Sequence, residues 1–129
     1  MLVKLHGLVE QYKGNGRRLG YPTANIKAET ELRDGVYFGF ANLSKYTEKP
    51  ALVFIGIPTT MGDVDARVEV HVLDIPDVDY YGDALEIQIE KFHRPNQKFN
   101  DVPTLIAEIH KDETEARKWF ESHTLREVA

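Results

Sequence analysis

The residues best suited to chemistry cluster near the N-terminus, between Lys13 and Asn25. Three glycines lie close together there, Gly14, Gly16 and Gly20, and the lack of a side chain lets their backbone N–H groups approach an anion closely. Arg17 adds positive charge to this segment of an acidic chain. The segment is therefore a candidate anion-binding loop, although a glycine-rich surface turn has the same composition.

Two neutral oxygens follow this loop. Thr23 and Asn25 are two residues apart, so in an extended segment both side chains point the same way. Hard cations such as magnesium take oxygen ligands and keep phosphate oxygens in their coordination shell. The pair is thus a candidate metal site. The alternative is that both side chains bond the local backbone.

A carboxylate on a predicted strand is the second candidate. Val68, Val70 and Val72 alternate with Glu69 and His71, which puts the glutamate and the histidine on the face opposite the valines. A carboxylate held beside a substrate hydroxyl can act as a general base. The alternative is a strand glutamate on a solvent-facing surface, and His71 is interpreted as a structural histidine.

The third candidate is the segment Phe92–Phe99, which joins the last predicted strand to a helix. Arg94 within it can hold an anion or stack on an aromatic ring. The alternative is an ordinary solvated loop arginine. On spacing alone, Tyr80 and Tyr81 are expected in the core or at its rim.

Alternating or short apolar runs predict the strands that must position these groups, over residues 36–41, 51–57, 68–73 and 85–90. Tyr81–Asp83 separates the last two runs and leaves no room for a crossover helix, so they are predicted to pair antiparallel. The polar stretch Ser44–Pro50 is predicted to be a hairpin loop.

The last third of the chain changes to helical spacing. Asn100 or Asp101 is expected to cap a helix that has Pro103 in its first turn. Asp112 and Glu115 resemble a second capping arrangement, which predicts another helical face after it. Strands followed by a helical segment favour an antiparallel barrel or sandwich with a helix packed on it.

Composition limits the classes of partner. The chain has 129 residues and a net charge of −5, which fits a single domain over 1–129 and argues against binding to nucleic acid or to a membrane surface. It contains no cysteine, and its N-terminus has neither a long apolar run nor a small-residue cleavage site. These features fit a cytoplasmic protein.

Together the candidate segments resemble the signature of riboflavin kinases. The most specific match is Gly20–Ile26, GYPTANI, against the family's L-G-[YFI]-P-T-A-N-[IF]. Weaker matches follow in the family's order, and the resemblance covers about residues 5 to 120: Gly35–Tyr37, the E-x-H strand at Val68–His71, the Y-G turn at Tyr81-Gly82, Arg94 with Lys98-Phe99, and the helix pattern Leu105–Ala116.

This resemblance implies a mainly β fold, a six-stranded antiparallel Greek-key barrel with a C-terminal helical segment. It also implies transfer of the ATP γ-phosphoryl group to the ribityl 5′-hydroxyl of riboflavin, giving FMN. Carried over by position, Thr23 and Asn25 would ligate magnesium or another divalent cation, and Glu69 would be the base. The remaining cofactor-binding residues would be the loop residues Gly14, Gly16, Arg17 and Gly20, Tyr81 of the Y-G turn, and Arg94 in a flap over the flavin.

Two departures and two rival functions accompany this hypothesis. Ile55–Thr59 is one residue shorter than the corresponding segment of many members, and Phe54 stands where bacterial members often have asparagine. The chain lacks the nucleotidyltransferase domain of bifunctional bacterial FAD synthetases, so it is expected to stop at FMN and to need no obligate protein partner. The rivals are a non-catalytic barrel that binds flavin or nucleotide, and a barrel that binds single-stranded nucleic acid.

Overall fold

A computed structural model describes residues 2–11, 20–56 and 66–123. Within these ranges the chain forms six strands and one helix. Their bounds are β1 Val3–Leu8, β2 Ala24–Ala28, β3 Gly35–Leu43, β4 Tyr46–Gly56, β5 Ala66–Val72, β6 Ala84–Arg94 and α1 Val102–Ser122. The four strands predicted from the sequence correspond to β3, β4, β5 and β6, and each observed strand has more residues than predicted.

The strands form one antiparallel sheet in the order β1-β6-β3-β4-β5-β2, which nearly closes into a Greek-key barrel. The two edge strands of this sheet, β1 and β2, approach each other. The backbone N–H of Glu10 donates to the carbonyl of Asn25 at 2.8 Å, and a Cβ placed on Gly7 would lie 3.3 Å from the Cβ of Ile26. The predicted mainly β fold, a six-stranded antiparallel barrel with a C-terminal helix, is therefore confirmed.

The predicted pairing of the last two strands is wrong. β5 pairs with β2 and β4, whereas β6 pairs with β1 and β3. Residues 73–83 form no tight hairpin but a longer connection that reaches a distant strand of the barrel. Because both edges of each strand are taken by other partners, the short sequence separation does not decide the pairing.

Alternation divides the strands into an inner and an outer face. The interior is filled by buried aliphatic side chains, among them Val68, Val70 and Val72 of β5. The outer face carries one continuous row of cross-strand partners, which crosses five strands of the sheet from β2 to β6. Its members are Asn25, Glu69, Phe54, Val36 and Arg94. Their neighbours along β2 and β5 face the interior, so alternation turns the polar groups of this row outward.

The hairpin between β3 and β4 is tighter than predicted. Only Ser44 and Lys45 form its turn, and β4 begins at Tyr46, so most of the expected loop at Ser44–Pro50 is strand. An extra residue is accommodated by a bulge, where the Asn42 Oδ1 accepts a hydrogen bond of 2.7 Å from the backbone N–H of Glu48. The bulge extends regular pairing almost to the turn.

The chain divides into two compact units, Met1–Asn96 and Gln97–Ala129, and α1 belongs to the second. Asp101 caps this helix by accepting a hydrogen bond of 2.7 Å from the backbone N–H of Thr104, as predicted. The second capping arrangement at Asp112 and Glu115 is wrong, because the helix runs through both residues. No Gly or Pro follows Pro103 before the helix ends, and Asp112 lies on its buried face. Among the described residues, no helix has the length and apolar character needed to cross a membrane.

Candidate functional site

The pairing of β2 with β5 brings two of the predicted site residues side by side. Asn25 lies directly opposite Glu69, and directly opposed residues of an antiparallel pair share one face of the sheet. Val68 and Val70 are buried in the barrel interior, so Glu69 faces outward as the alternation predicts. An amide oxygen and a carboxylate from segments far apart in sequence are thus neighbours.

Asn25 has an oxygen without a partner. Its side chain is buried, and its Nδ2 makes only long contacts, 3.4 Å to the Thr23 Oγ1 and 3.5 Å to the Thr23 carbonyl oxygen. The Asn25 Oδ1 is buried and accepts no hydrogen bond. A buried polar atom without a partner is costly, and a bound cation or ligand would relieve that cost.

The donor set around Asn25 fits magnesium that also binds substrate phosphates. Thr23 and Asn25 offer neutral oxygens, and magnesium commonly takes few protein ligands while keeping phosphate oxygens and waters. Among residues 2–11, 20–56 and 66–123, no cluster of three or more His, Cys, Asp or Glu side chains could hold a metal by itself. The residues therefore suit a cation that arrives with a phosphate group.

Glu69 lies in surroundings that strengthen a base. Burial raises the pKa of its carboxyl above the ordinary value, and the nearby Arg67 guanidinium lowers it in part. The aromatic side chain of Phe54 occupies the paired position on β4, on the other side from Asn25. A carboxylate with a raised pKa accepts a proton more readily once it is ionised, which is what a general base requires.

Arg67 is a residue that the sequence reasoning missed. It lies two residues before Glu69 on the same outward face of β5, and its Nη1 is 4.0 Å from the Glu10 Oε2. The same alternation that singled out Glu69 also places Arg67 beside it. Its positive charge therefore belongs to the electrostatics of the site.

His71, the next outward residue of β5, contacts the segment that leads into β2. Its Nδ1 is 2.7 Å from the carbonyl oxygen of Pro22. The ring of Tyr21 packs edge-on against the imidazole, with centroids 5.4 Å apart. The histidine that is interpreted as structural from the sequence therefore lies next to Thr23 and contacts the two residues before it.

A cavity of about 270 Å³ opens beside this segment. Its walls combine polar residues with aliphatic ones, among them Val70 and Val72. Its rim brings together four of the predicted cofactor-binding residues with His71: Gly20, Thr23, Asn25 and Tyr81. The remaining wall is the segment Asp74–Tyr80, whose Asp74, Asp77 and Asp79 carry negative charge. Sequence reasoning missed this segment because its acidic and apolar residues follow neither a helical nor a strand period.

The other predicted site residues lie elsewhere. Glu69 is adjacent to Asn25 but is not among the residues that line the cavity. Arg94 is the last residue of β6, and β3 and β4 separate it from β5. Gly14, Gly16 and Arg17 lie outside the described residues.

Comparison with known proteins places the chain in a family. The family model described as "Flavokinase: Riboflavin kinase" matches residues 2–120. A bifunctional riboflavin kinase/FMN adenylyltransferase of Listeria monocytogenes is 37% identical over 109 residues, a match that covers 81% of this chain and 34% of that protein. The riboflavin kinase of Homo sapiens is 27% identical over 120 residues, which covers 88% of this chain and 77% of that protein.

A solved structure shows the same architecture. The crystal structure of riboflavin kinase from Trypanosoma brucei matches with a TM-score of 0.71 and 22% identity, and the match covers 92% of this chain and 79% of that chain. At this identity the likeness concerns the fold. The chain spans about a third of the Listeria protein and about three quarters of the human one. Because the family model matches nearly its whole length, this chain belongs to the riboflavin kinase family.

Proposed function

We propose that this protein transfers the γ-phosphoryl group of ATP to the 5′-hydroxyl of the ribityl chain of riboflavin, giving FMN and ADP. The observation that carries this proposal is the pairing of Asn25 with Glu69. It sets a buried oxygen without a hydrogen-bond partner beside a carboxyl of raised pKa. Phosphoryl transfer to an alcohol needs both a cation site and a group that takes the proton of the alcohol.

Glu69 accepts the proton of the ribityl 5′-hydroxyl. The oxygen freed of its proton forms a bond to the γ-phosphorus, and the bond from that phosphorus to the bridging oxygen breaks. The electron pair of the broken bond stays on ADP, which leaves. The proton remains on the Glu69 carboxyl until it passes to solvent. Arg67 opposes the rise in pKa that burial causes, because its positive charge favours the ionised carboxyl.

Thr23 and Asn25 would hold magnesium through their side-chain oxygens. The ion supplies charge neutralisation at the phosphates of the nucleotide. The unpartnered Asn25 Oδ1 supports this assignment, because a hydrogen-bonded structural asparagine would have its oxygen satisfied.

The cavity beside Thr23 suits the nucleoside part of ATP. Its aliphatic residues match the faces of a purine, and its acidic wall at Asp74, Asp77 and Asp79 offers acceptors for hydroxyl and amino groups. Those carboxylates repel phosphates, so the phosphates would extend toward Gly20 and Thr23, which also line the cavity. Tyr81 contributes an aromatic face at the mouth of the cavity.

The remaining assignments follow from the sequence. Gly14, Gly16 and Arg17 lie within the six residues before Gly20 and would hold the phosphates. Arg94 would contact the flavin. Its position at the far end of the outward row from Asn25 supports this division, because the acceptor then lies on the opposite side of Glu69 from the nucleotide.

The decisive experiment is mass spectrometry of riboflavin incubated with the protein, ATP and magnesium. Formation of FMN and ADP in equal amounts is the expected result, and omission of magnesium should abolish it. Tight binding of riboflavin or ATP without any FMN would overturn the proposal in favour of a non-catalytic binding barrel. The Glu69→Gln variant serves as the control for contaminating kinases, because it should bind both substrates and produce little FMN.

A further inference from the structure

The pairing of β2 with β5 is continued beyond its last backbone pair by a side chain. The regular register ends at Ala24 opposite Val70, and the next pair would be Thr23 opposite His71. At that point the imidazole of His71 reaches across, and its Nδ1 lies 2.7 Å from the carbonyl oxygen of Pro22. A carbonyl oxygen only accepts, so the His71 Nδ1 carries the proton and donates.

This hydrogen bond holds the entry into β2 at a residue that cannot join the sheet through its own N–H. Pro22 has no N–H and cannot donate to a neighbouring strand. Thr23 therefore lies between two fixed points, the Pro22 carbonyl held by His71 and the first backbone pair of β2 at Ala24. Fixing both neighbours restricts the backbone of Thr23, and with it the direction of its hydroxyl oxygen.

The imidazole is itself held in place. The Tyr21 ring packs edge-on against it, and His71 lies on a strand that pairs with β4 on one side and β2 on the other. The side chain of Asn25, which carries the second oxygen of the pair, contacts Thr23 in turn, since its Nδ2 is 3.4 Å from the Thr23 Oγ1. A displacement of Pro22 would thus be transmitted to both oxygens.

We propose that His71 is a positioning residue that fixes the entry into β2 through the Pro22 carbonyl and thereby places the Thr23 and Asn25 oxygens for a divalent cation. This inference rests on the proposed function only in naming the cation; the tautomer and the anchoring of Pro22 are independent of it. His71 acts through the Pro22 carbonyl rather than on the reacting atoms in this proposal, so its substitution should alter metal dependence more than acceptor binding.

Three variants separate the effect of losing the His71 hydrogen bond from the effect of changing the size of the side chain. His71→Asn keeps a donor at the δ position, whereas His71→Leu has nearly the same shape as asparagine without the donor. His6→Leu removes a histidine from β1, away from the site, and is the matched control. Loss of one hydrogen bond predicts that His71→Leu raises the magnesium concentration for half-maximal rate about three- to tenfold, with riboflavin KM within about twofold. His71→Asn should restore the wild-type dependence to within about twofold.

Two measurements do not depend on turnover. Electron paramagnetic resonance titration of Mn²⁺ with ADP should show weaker binding in His71→Leu and recovery in His71→Asn. Long-range ¹H–¹⁵N spectra of the neutral histidine should show the proton on Nδ1. A proton on Nε2, or unchanged Mn²⁺ binding in a folded His71→Leu variant, would overturn the inference. A wild-type protein that makes no FMN would instead refute the proposed function, and the two spectroscopic readouts would still decide the role of His71.

Discussion

At the scale of the residue, the site depends on an ionisable group placed where water solvates it poorly. Glu69 lies between Asn25 and Phe54 in the outward row, and its burial favours the neutral carboxyl. Arg67 opposes this effect. The net effect is a raised pKa, so the ionised carboxylate is a stronger base than that of an exposed glutamate.

Replacement of the proposed base gives the first prediction. Glu69→Gln should lower turnover about 10²–10⁴-fold, the usual effect of losing a general base, because glutamine keeps the shape of the side chain and cannot accept the proton. Single-turnover measurement of FMN formation checks it. Glu121→Gln, an exposed position in α1, removes the same charge and should leave turnover unchanged. Turnover within a few-fold of wild type in Glu69→Gln would show that another group takes the proton.

The raised pKa of Glu69 gives a second prediction, on pH. The role proposed for Glu69 needs the ionised carboxylate, so kcat/KM should fall on the acidic side with a midpoint above the range of ordinary glutamates. Folding raises this pKa, so the contribution of Glu69 to stability is fully present below its unfolded pKa and is lost as pH rises through its folded pKa. The free energy of unfolding of Glu69→Gln, relative to wild type, should therefore increase from acidic to neutral pH in denaturant titrations. A difference that decreases over that interval would contradict the burial argument.

The two candidate metal ligands give a third prediction. Thr23→Val and Asn25→Leu each remove one oxygen at similar size, so each should raise the magnesium concentration needed for half-maximal rate. Riboflavin affinity without nucleotide should change little. Thr47→Val, on the exposed part of β4, is the control for a lost hydroxyl. Unchanged magnesium dependence in both site variants would make Thr23 and Asn25 structural turn residues.

At the scale of the element, the barrel requires close approach between β3 and β6. A Cβ placed on Gly39 would lie 2.5 Å from the backbone oxygen of Gln88, far inside normal contact. One at Gly35 would meet the backbone oxygen of Arg94 at 2.7 Å. Two side-chain-free positions on β3 thus allow the strand to pack tightly against its neighbour.

Gly39→Ala is the fourth prediction. The added methyl group meets backbone rather than a movable side chain, so the strands must separate, and the variant should lose about 1–3 kcal/mol of stability or more. Urea denaturation measures this loss. Gly56→Ala makes the same chemical change at the end of β4, where the nearest atom would be 3.9 Å away, and should be nearly neutral. Equal stability of both variants would show that β3 and β6 can separate without cost.

Local elements were predictable and their partners were not. The alternation at Val68–Val72 and the cap at Asp101 depend on neighbouring residues, and the structure confirms both. The predicted pairing of β5 with β6 is wrong because many segments of the chain compete for each strand edge. The adjacency of Asn25 and Glu69 has the same origin, since their register is set by closure of the whole barrel. Only the resemblance to riboflavin kinases assigned both residues to one site.

At the scale of the whole molecule, the barrel has a weakly paired seam, which is the junction between its edge strands β1 and β2. Among the described residues, one isolated backbone bridge spans this junction, between Glu10, two residues after β1, and Asn25 of β2. By contrast, β3 is paired along its length with both β4 and β6. Local opening should therefore begin at the seam, next to the candidate cation site.

Hydrogen exchange tests this fifth prediction. The amide of Glu10 should exchange faster than the amides of Phe38 and Val53, which lie in the centre of the sheet. Addition of magnesium and ADP should slow exchange at Glu10 more than at these central positions, because a ligand held by Asn25 also fixes its backbone carbonyl. Equal protection of seam and centre without ligand would show that the barrel is closed as firmly here as elsewhere.

The outward row also fixes the distance between Arg94 and Glu69. Neighbouring strands are about 4.8 Å apart, so Arg94 lies about 14 Å from Glu69 along the curved sheet, three strand intervals away. If Arg94 holds the ring of the flavin, the length of the polyol tail decides whether its terminal hydroxyl reaches the base. The enzyme would then select its acceptor by the distance between ring and hydroxyl as much as by the chemistry of either end, and a flavin with a shortened tail would bind without reacting.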